Sequence, residues 1–264
     1  MTQPTHRPTM VPGAPIWADL ATTDRDGAVA FYGEVFGWTA TEPSPEFGGY
    51  STFLREGQQV GGVMGGHDAD DPAGWLVYLM SEDAEATAKA VAEHGGTVTD
   101  GPHAVADLGV MLFATDPAGS RFGVWQPGQH RGYGSVNTAG APGYHELHTP
   151  GYAAALPFYT EVFGIGHQVV SDSDEFRYSQ LTGPDGEGVA GVMDASAHLA
   201  DGDVGGWALY LGSHDVDGDL AKVVAAGGTV LEPATDTPYG RLARFADPNG
   251  ASVRLVDGTR AVHG

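Results

Sequence analysis

Residues 31–37 of the chain read Phe-Tyr-Gly-Glu-Val-Phe-Gly, and residues 158–164 read Phe-Tyr-Thr-Glu-Val-Phe-Gly. Six of the seven positions are identical at a spacing of 127 residues, which is close to half of the 264-residue chain. A self-match at that spacing indicates a duplicated unit. Each copy ends in Gly after apolar residues at helical spacing, so each predicts the end of an amphipathic helix.

Four further matches follow in the same order along the chain. They pair residues 60–64 with 189–193, 74–79 with 206–211, 95–98 with 227–230, and 116–119 with 247–250. Because the spacing stays between 127 and 132 residues, we predict two domains of similar size, at residues 14–127 and 142–258. Residues 128–141 are rich in Gly and polar side chains, which predicts a linker. Residues 1–13 contain three prolines and predict a flexible N-terminal tail.

Each half alternates a short apolar strand, a helix and three more strands, and then repeats that order. Asp24 stands where the N-cap of the first helix is expected. The Asp-Pro-Ala-Gly and Asp-Pro-Asn-Gly sequences at 116–119 and 247–250 have Pro and Gly where a β-turn between two strands favours them. The pattern therefore predicts an α+β protein with four βαβββ modules, two in each half.

Composition excludes several classes of protein. Asp and Glu number 34 against 12 Lys and Arg, a formal net charge of -22 without an acidic block. This balance disfavours nucleic acid and anionic membranes as partners, since both attract clustered cations. The chain has no Cys, which excludes disulfides and thiolate chemistry. No segment is long and apolar enough for a signal or a membrane span, so we expect a cytoplasmic protein.

The repeated helix end, the Gly-Gly-Val-Met strand at 61–64 and the two Asp-Pro-x-Gly turns resemble the vicinal oxygen chelate superfamily. This superfamily includes glyoxalase I, bleomycin-resistance proteins and extradiol dioxygenases, and the resemblance is to its tandem, glyoxalase-like or hydroxylase-like branch. It covers residues 15–256. It implies that each half curls into a U-shaped sheet around a cavity.

In metal-dependent members of that superfamily, ligands stand on the first, fifth and eighth strands. Carried over position by position, these sites fall on Trp17, Leu76 and Gly123 in the first half and on Tyr144, Ala208 and Arg254 in the second. None of these residues ligates a divalent ion as His or a carboxylate does. The resemblance therefore implies a cavity without the usual metal site, and we expect no cofactor, leaving open a metal held by a shifted site at Asp19, Glu146 and His148.

Glu146 and His148 are two residues apart on one predicted strand and should therefore share a face. They are close enough to share a proton or to hold a polar group of a substrate, which makes them candidate catalytic residues. An ordinary structural pair at a domain seam is the alternative. The preceding His145 completes a His-Glu-Leu-His string, but on a strand its side chain should point away from His148, unlike the paired histidines of a zinc protease helix.

Aromatic residues form a second group of candidates on the same predicted strands. An acidic residue, Asp19, and a basic one, Arg254, join them. The expected ligand-binding residues are therefore Trp17, Asp19, Tyr78, Trp125, Tyr144, Tyr210 and Arg254. Such rings suit a flat, partly aromatic ligand through stacking, although most aromatics on strands are core residues. We expect Arg254 to pair with Glu146, because an unpaired charge in a closed pocket is unfavourable.

Two functions remain open from the sequence. The first is a binding protein that sequesters or processes an aromatic or polar metabolite, in an antibiotic or secondary-metabolite context. The alternative is an enzyme of the same superfamily, an isomerase, lyase, glyoxalase or oxygenase, that uses Glu146 and His148 or a shifted metal site. An accessory protein without a ligand is a third reading. The expected partners are a small molecule and, at most, a second copy in a homodimer.

Overall fold

The computed structural model describes residues 9–65 and 74–260. Most of the tail predicted at residues 1–13 therefore lies outside the described residues. Within its described part, the Gly13 amide donates to the Met80 carbonyl oxygen at 2.9 Å. In the described part of the chain, no helix is long and apolar enough to cross a membrane.

The described residues of the first half form one mixed sheet of eight strands and two α-helices. Its elements are β1 (Pro15–Ala21), α1 (Arg25–Phe36), β2 (Thr39–Ala40), β3 (Ser51–Arg55), β4 (Gln58–Met64), β5 (Gly74–Met80), α2 (Ala84–Glu93), β6 (Thr97–Val105), β7 (Gly109–Thr115) and β8 (Arg121–Pro127). The strand order is β2-β3-β4-β1-β5-β8-β7-β6. The two βαβββ modules thus join through the antiparallel pair β1 and β5.

The second half repeats this architecture strand for strand. Its elements are β9 (Pro142–Thr149), α3 (Tyr152–Phe163), β10 (Gly166–Asp172), β11 (Arg177–Thr182), β12 (Gly188–Asp194), β13 (Gly206–Gly212), α4 (Val216–Ala225), β14 (Thr229–Thr237), β15 (Gly240–Ala246) and β16 (Ser252–Asp257). The order is β10-β11-β12-β9-β13-β16-β15-β14. The predicted α+β class and the four modules in two tandem domains are confirmed.

Local sequence explains where the first helix begins and ends. The Asp24 carboxylate accepts a hydrogen bond from the Gly27 amide at 2.9 Å, as predicted for an N-cap. At the other end, Gly37 adopts φ 70°, the left-handed conformation that a helix C-cap favours in glycine. Tyr32 and Val35 are buried on the face that packs against the sheet. Alternation along β1 puts Ile16, Ala18 and Leu20 on this same side.

The two halves share one continuous apolar core, because the helices of each half pack against the other. α1 contacts α4, and α2 contacts α3. The ring of Phe122 lies 6.0 Å from that of Phe158, and Phe31 lies 6.1 Å from Phe245. Burying each of these rings contributes on the order of 2–3 kcal/mol. The repeated Phe-Tyr sequence therefore joins the domains as well as forming the helices.

Two reciprocal hydrogen bonds connect the repeated motifs across the domain interface. The Tyr32 hydroxyl donates to Asp247 at 3.4 Å, and the Tyr159 hydroxyl donates to Asp116 at 3.2 Å. Each aspartate is the first residue of an Asp-Pro-x-Gly turn, and Oδ1 of Asp116 also accepts from the Ser120 amide at 2.9 Å. Burial raises the pKa of both Asp116 and Asp247. Two of the five repeated sequence segments therefore contain residues that hold the domains together: the segment at 31–37 and 158–164, and the turn at 116–119 and 247–250.

The predicted linker, residues 128–141, runs across the first half as an ordered segment. The Tyr133 amide donates to the Ile16 carbonyl at 2.9 Å, and the Gly134 amide donates to the Gln59 carbonyl at 2.8 Å. Further along, the Gly140 amide donates to the Gly212 carbonyl at 2.7 Å. The segment therefore binds to both halves, and Tyr133 is only 3 % exposed.

Candidate functional site

The concave face of the first sheet is filled by side chains of its own chain. Trp17 is buried there, and its Nε1 donates to Oδ1 of Asp19 at 2.8 Å and to the Tyr50 hydroxyl at 3.0 Å. The ring of Tyr133, from the segment 128–141, lies 5.4 Å from the Trp17 ring, and His130 meets it edge-on at 4.4 Å. We call this region the first cup. Side chains of residues 128–141 cover its floor.

The acid of the first cup has hydroxyl and indole partners. The Tyr50 hydroxyl donates to Oδ1 of Asp19 at 2.7 Å. Burial raises the pKa of Asp19, and hydrogen bonds from Tyr50, Tyr78 and Trp17 offset this rise only in part. Asp19 and Tyr78 also border a small cavity of about 470 Å³ between the halves, together with Trp75 and Trp207.

Trp125, predicted to bind a ligand, instead holds the covering segment. Its Nε1 donates to the His130 carbonyl oxygen at 2.9 Å. Burial lowers the pKa of the His130 ring to about 4, so this histidine is neutral at neutral pH. Neither Trp17 nor Trp125 lines the small cavity or the large cavity of the second half.

The concave face of the second sheet, the second cup, surrounds an open cavity of about 1750 Å³. This exceeds the roughly 300–1,000 Å³ of ordinary ligand pockets. Its aromatic lining consists of Tyr144, Phe176, Tyr178, Trp207, Tyr210 and Tyr239. Its charged lining includes Glu146, His148, Glu232, Arg244 and Arg254. The structure thus brings the second-half candidates Tyr144, Glu146, His148, Tyr210 and Arg254 together in one cavity.

Glu146 and His148 form the predicted pair on one face of β9. Nε2 of His148 lies 2.7 Å from Oε1 of Glu146, and both side chains are largely buried. The Tyr210 hydroxyl donates to the same carboxylate oxygen at 3.0 Å. Burial by itself raises the pKa of Glu146, but the contact and charge of His148, with the Tyr210 hydroxyl, reverse this and leave the pKa lowered. Glu146 is therefore an ionised carboxylate that orients the imidazole.

Tyr144 and Tyr178 meet at the neighbouring position of the cup. Their hydroxyls lie 2.8 Å apart. A Cβ atom at Gly191 would collide with the Tyr178 hydroxyl, so a larger residue where the two tyrosines pass over β12 would displace the Tyr178 ring. Phe176 and Tyr239 extend this wall: the Phe176 ring stacks on Tyr178 at 5.6 Å, and Tyr239 lies 6.1 Å from Tyr178.

The expected pairing of Arg254 with Glu146 is wrong. Nη1 of Arg254 donates to Oε2 of Glu232 at 2.8 Å, and Nη2 donates to Oε1 at 3.3 Å. The guanidinium also lies 5.7 Å from the centre of the Tyr210 ring. The reason is register: Glu146 on β9 and Glu232 on β14 each lie two strands from β16, but Glu232 shares the row of Arg254 through Arg244, whereas Glu146 pairs with Ala208.

His145 points to the opposite face of β9, as strand alternation predicts. Its Nε2 lies 3.0 Å from the Tyr133 hydroxyl, and the two rings stack at 5.7 Å. Burial lowers the pKa of His145 to about 3, so the ring stays neutral. The segment covering the first cup thereby contacts the back of the strand that carries Glu146 and His148.

The strand register shows which residues stand side by side near the metal positions that the superfamily implies. Trp17 pairs with Tyr78, which pairs with Gly123, and Tyr144 pairs with Tyr210, which pairs with Arg254. The residues of the fifth strands opposite Trp17 and Tyr144 are therefore Tyr78 and Tyr210, two residues beyond Leu76 and Ala208. Neither row offers three oxygen or nitrogen donors suited to a divalent ion. Among the described residues, no three His, Asp or Glu side chains converge as a metal site.

Sequence reasoning missed Arg244 and Glu232 of the second cup and Tyr133 of the first. Arg244 could have been found, because the turn at 247–250 sets β15 against β16 and places it opposite Arg254. Glu232 depends on the bulged pairing of β14 with β15, which the sequence does not mark. Tyr133, which closes the first cup, lies in a segment without periodicity and carried no signal.

Comparison with known proteins identifies the family. The family model of the glyoxalase/bleomycin resistance protein/dioxygenase superfamily matches residues 15–124 and 142–255. The chain belongs to this superfamily, in its tandem two-domain form.

Relatives of similar length match nearly the whole chain. It is 34 % identical to the anthracycline biosynthesis protein DnrV of Streptomyces peucetius, over 93 % of this chain and 94 % of that protein. It is 36 % identical to the putative glyoxylase CFP32 of Mycobacterium bovis, over 90 % of this chain and 92 % of that protein.

Solved structures share the fold at low sequence identity. The Mn(II)-bound glyoxalase from Novosphingobium aromaticivorans aligns with a TM-score of 0.64 at 15 % identity, over 96 % of this chain and 87 % of that one. The 2,3-dioxygenase LapB from Pseudomonas sp. KL28 aligns with a TM-score of 0.63 at 16 % identity, over 95 % and 94 %. Two chemistries on one fold show that the fold alone does not select a reaction.

Proposed function

We propose that the second cup binds a flat polycyclic aromatic metabolite, while the first cup, where covering side chains leave a cavity of only about 470 Å³, is a structural partner. The observation that carries this proposal is the open cavity of about 1750 Å³, walled by six aromatic residues, beside a first cup filled by Tyr133 and His130. The relative DnrV, named for anthracycline biosynthesis, supports the ligand class, because anthracyclines are flat, fused-ring aromatic compounds.

The wall formed by Phe176, Tyr178 and Tyr239 provides the stacking surface. Phe176 and Tyr178 are nearly parallel, with an interplanar angle of 11°, and Tyr239 is 49 % exposed. An exposed aromatic ring beside a cavity gains contact area when a planar ligand stacks on it. Each stacked ring contributes about 0.5–1.5 kcal/mol beyond its buried area.

The test is titration of the protein with 1,4-dihydroxyanthraquinone, with binding measured by tryptophan fluorescence and by calorimetry. We expect saturable binding at one site, weakened up to about tenfold by Tyr239→Ala. Leu231→Ala, which removes an exposed side chain outside the cavity, serves as the control and should leave binding unchanged. Absence of saturable binding, or equal weakening by both variants, would refute the proposal.

A second candidate, acid–base processing of the bound molecule, is favoured by the 2.7 Å contact between His148 and Glu146. His148 contacts the protein through Nε2, so Nδ1 is the nitrogen for a substrate. In this mechanism Nδ1 accepts a proton from an acidic C–H group of the ligand, and the Glu146 carboxylate stabilises the imidazolium that forms. The carbanion left on the ligand is stabilised by its own conjugated ring system.

This candidate is tested by NMR in D₂O, with anthrone as a planar ligand that carries an acidic CH₂ group. Wild-type protein should accelerate exchange of that CH₂ signal, and Glu146→Gln and His148→Ala should each reduce the acceleration by a factor of about 10²–10⁴. Elemental analysis of protein purified without chelator tests the expected lack of a metal. If both variants accelerate the exchange as much as wild type does, Glu146 and His148 are not catalytic, and only the proposal of ligand binding stands.

A further inference from the structure

One row of side chains crosses five neighbouring strands of the second cup. Register pairs Tyr144 with Tyr210, Tyr210 with Arg254, Arg254 with Arg244, and Arg244 with Glu232. All five residues line the large cavity. The row therefore begins with two hydroxyl groups near Glu146 and ends with two guanidinium groups and one carboxylate.

Two guanidinium groups share a single carboxylate at the end of this row. Arg254 holds Glu232 through both terminal nitrogens, at 2.8 and 3.3 Å. Nε of Arg244 lies 3.1 Å from Oε1 of Glu232, but the atom is buried without a hydrogen bond of acceptable geometry. Like charges directly opposite each other on paired strands are unfavourable. The cluster thus has one positive charge in excess and a guanidinium whose donors are incompletely used.

Two further acids of the cavity lining accept hydrogen bonds from backbone amides. Asp203 accepts a hydrogen bond from the Gly205 amide at 2.9 Å, and Asp257 accepts from the Thr259 amide at 3.0 Å. The Glu146 carboxylate contacts His148 at 2.7 Å and accepts a hydrogen bond from the Tyr210 hydroxyl at 3.0 Å. In a chain with a net charge of -22, this cluster is a local positive site facing a cavity.

Arg241, on the same strand as Arg244, shows what a fully neutralised arginine looks like here. It contacts two carboxylates, Asp217 at 2.8 Å and Asp236 at 2.9 Å. It does not line the cavity, because an odd spacing from Arg244 puts it on the other face of β15. The local excess of positive charge therefore belongs to the cluster of Arg244, Arg254 and Glu232 on the cavity face of the sheet.

We infer that Arg244 and Arg254 form a subsite for an acidic oxygen of the ligand, so that the bound class is an acidic aromatic compound carrying a carboxylate or an ionised phenol. This inference rests on the proposed function and adds a polarity to it: the acidic end lies at β15 and β16, and the opposite end of the ring system lies over Tyr144 beside Glu146. Guanidinium groups pair with carboxylates through two parallel donors, which provides orientation as well as affinity.

The experiment compares anthraquinone-2-carboxylate with its neutral amide, anthraquinone-2-carboxamide, by calorimetric titration at pH 7. Wild-type protein should bind the carboxylate about tenfold more tightly than the amide, and 0.5 M NaCl should reduce this ratio. Arg244→Gln should bring the ratio close to one. Glu232→Gln, which removes the competing carboxylate, should raise it above the wild-type value.

Arg241→Gln is the matched control, since it removes a cation from the same strand on the other face; the ratio should not change. Thermal unfolding of each variant checks that the fold is kept. A wild-type ratio of one with clear binding of the amide would refute the subsite but keep the proposed function. Equal ratios in wild type, Arg244→Gln and Glu232→Gln would also refute it. Failure of both probes to bind would remove the proposed function and this inference together.

Discussion

The two cups share a backbone and differ in the row that crosses their floors. Register aligns Trp17, Tyr78, Gly123, Phe113 and Asp100 of the first cup with Tyr144, Tyr210, Arg254, Arg244 and Glu232 of the second. In the first row, the Tyr78 ring lies over Gly123 and 6.0 Å from Phe113. In the second, the guanidinium groups of Arg254 and Arg244 stand where the first row has Gly123 and Phe113. The two copies thus share the sheet and differ in the side chains of this row.

The two cups also differ in the space that they enclose, about 470 Å³ beside Asp19 and Tyr78 and about 1750 Å³ in the second cup. In the first cup, Tyr133 and His130 cover Trp17, and hydroxyl and indole groups contact Asp19. In the second, the corresponding acid has an imidazole at 2.7 Å and faces a large cavity. One copy therefore supports the fold, and the other is available for a ligand. The following predictions test that division, from the largest expected effect to the smallest.

The covering ring should matter for stability far more than a ring of the open cavity. Tyr133→Ala removes a buried ring stacked between Trp17 and His145 and should lower the free energy of unfolding by roughly 3–5 kcal/mol. Tyr239→Ala, at a half-exposed ring, should lower it by less than about 1 kcal/mol. Urea unfolding measures both. Equal losses would mean that the first cup is not closed by packing.

The two glycines under the tyrosine hydroxyls should tolerate a methyl group differently. A Cβ at Gly62 would collide with Tyr50 and Asp19, which are held by Trp17, so Gly62→Ala should cost about 1–3 kcal/mol. A Cβ at Gly191 meets Tyr178, whose ring can move into the open cavity. Gly191→Ala should therefore destabilise less but weaken anthraquinone binding. The reverse order of stabilities would argue against an open second cup.

Where the halves kept their symmetry, equivalent substitutions should have equal effects. Tyr32→Phe and Tyr159→Phe each remove a donor to an aspartate of the other half and an acceptor for a tryptophan indole. We expect each to lower the free energy of unfolding by about 1–2 kcal/mol, and the double variant to show their sum. Thermal and urea unfolding test this. A difference above 1 kcal/mol between the single variants would show that the interface is asymmetric.

The two acids should give opposite pH dependence of stability. The pKa of Asp19 is raised, so the folded state holds its proton more tightly, and stability falls as pH rises from the ordinary value of 3.8 upward. The pKa of Glu146 is lowered, so its contribution is present above 4.5 and is lost as pH falls through the folded value. Each slope is at most about 1.4 kcal/mol per pH unit.

Asp19→Asn and Glu146→Gln, unfolded in urea between pH 3 and pH 6, isolate these slopes. Relative to wild type, the first variant should gain stability as pH rises, and the second should lose it. The same sign of change in both variants would contradict the assignment of the two environments.

Much of the fold followed from patterns that operate along the chain. The repeat at residues 31–37 and 158–164 predicted the duplication, and Asp24 and the Asp-Pro-x-Gly turns marked ends of elements correctly. The register did not follow, because bulges between Pro15 and Trp17 and between Tyr210 and Leu211 shift strand pairing. Leu76 and Ala208, the fifth-strand positions implied by the resemblance, lie opposite Asp19 and Glu146, whereas Trp17 and Tyr144 lie opposite Tyr78 and Tyr210. The domain bounds and the assignment of the binding residues stay predictions.

The sequence by itself determined the duplication, the face of each strand and the meeting of Glu146 with His148, because alternation along one strand is a local property of the backbone. Only the tertiary structure decided which cup is open, that Tyr133 covers Trp17, and that Arg254 pairs with Glu232. These contacts join residues far apart in the chain across several strands. They depend on the order and register of strands and on the path of residues 128–141, which no local pattern encodes.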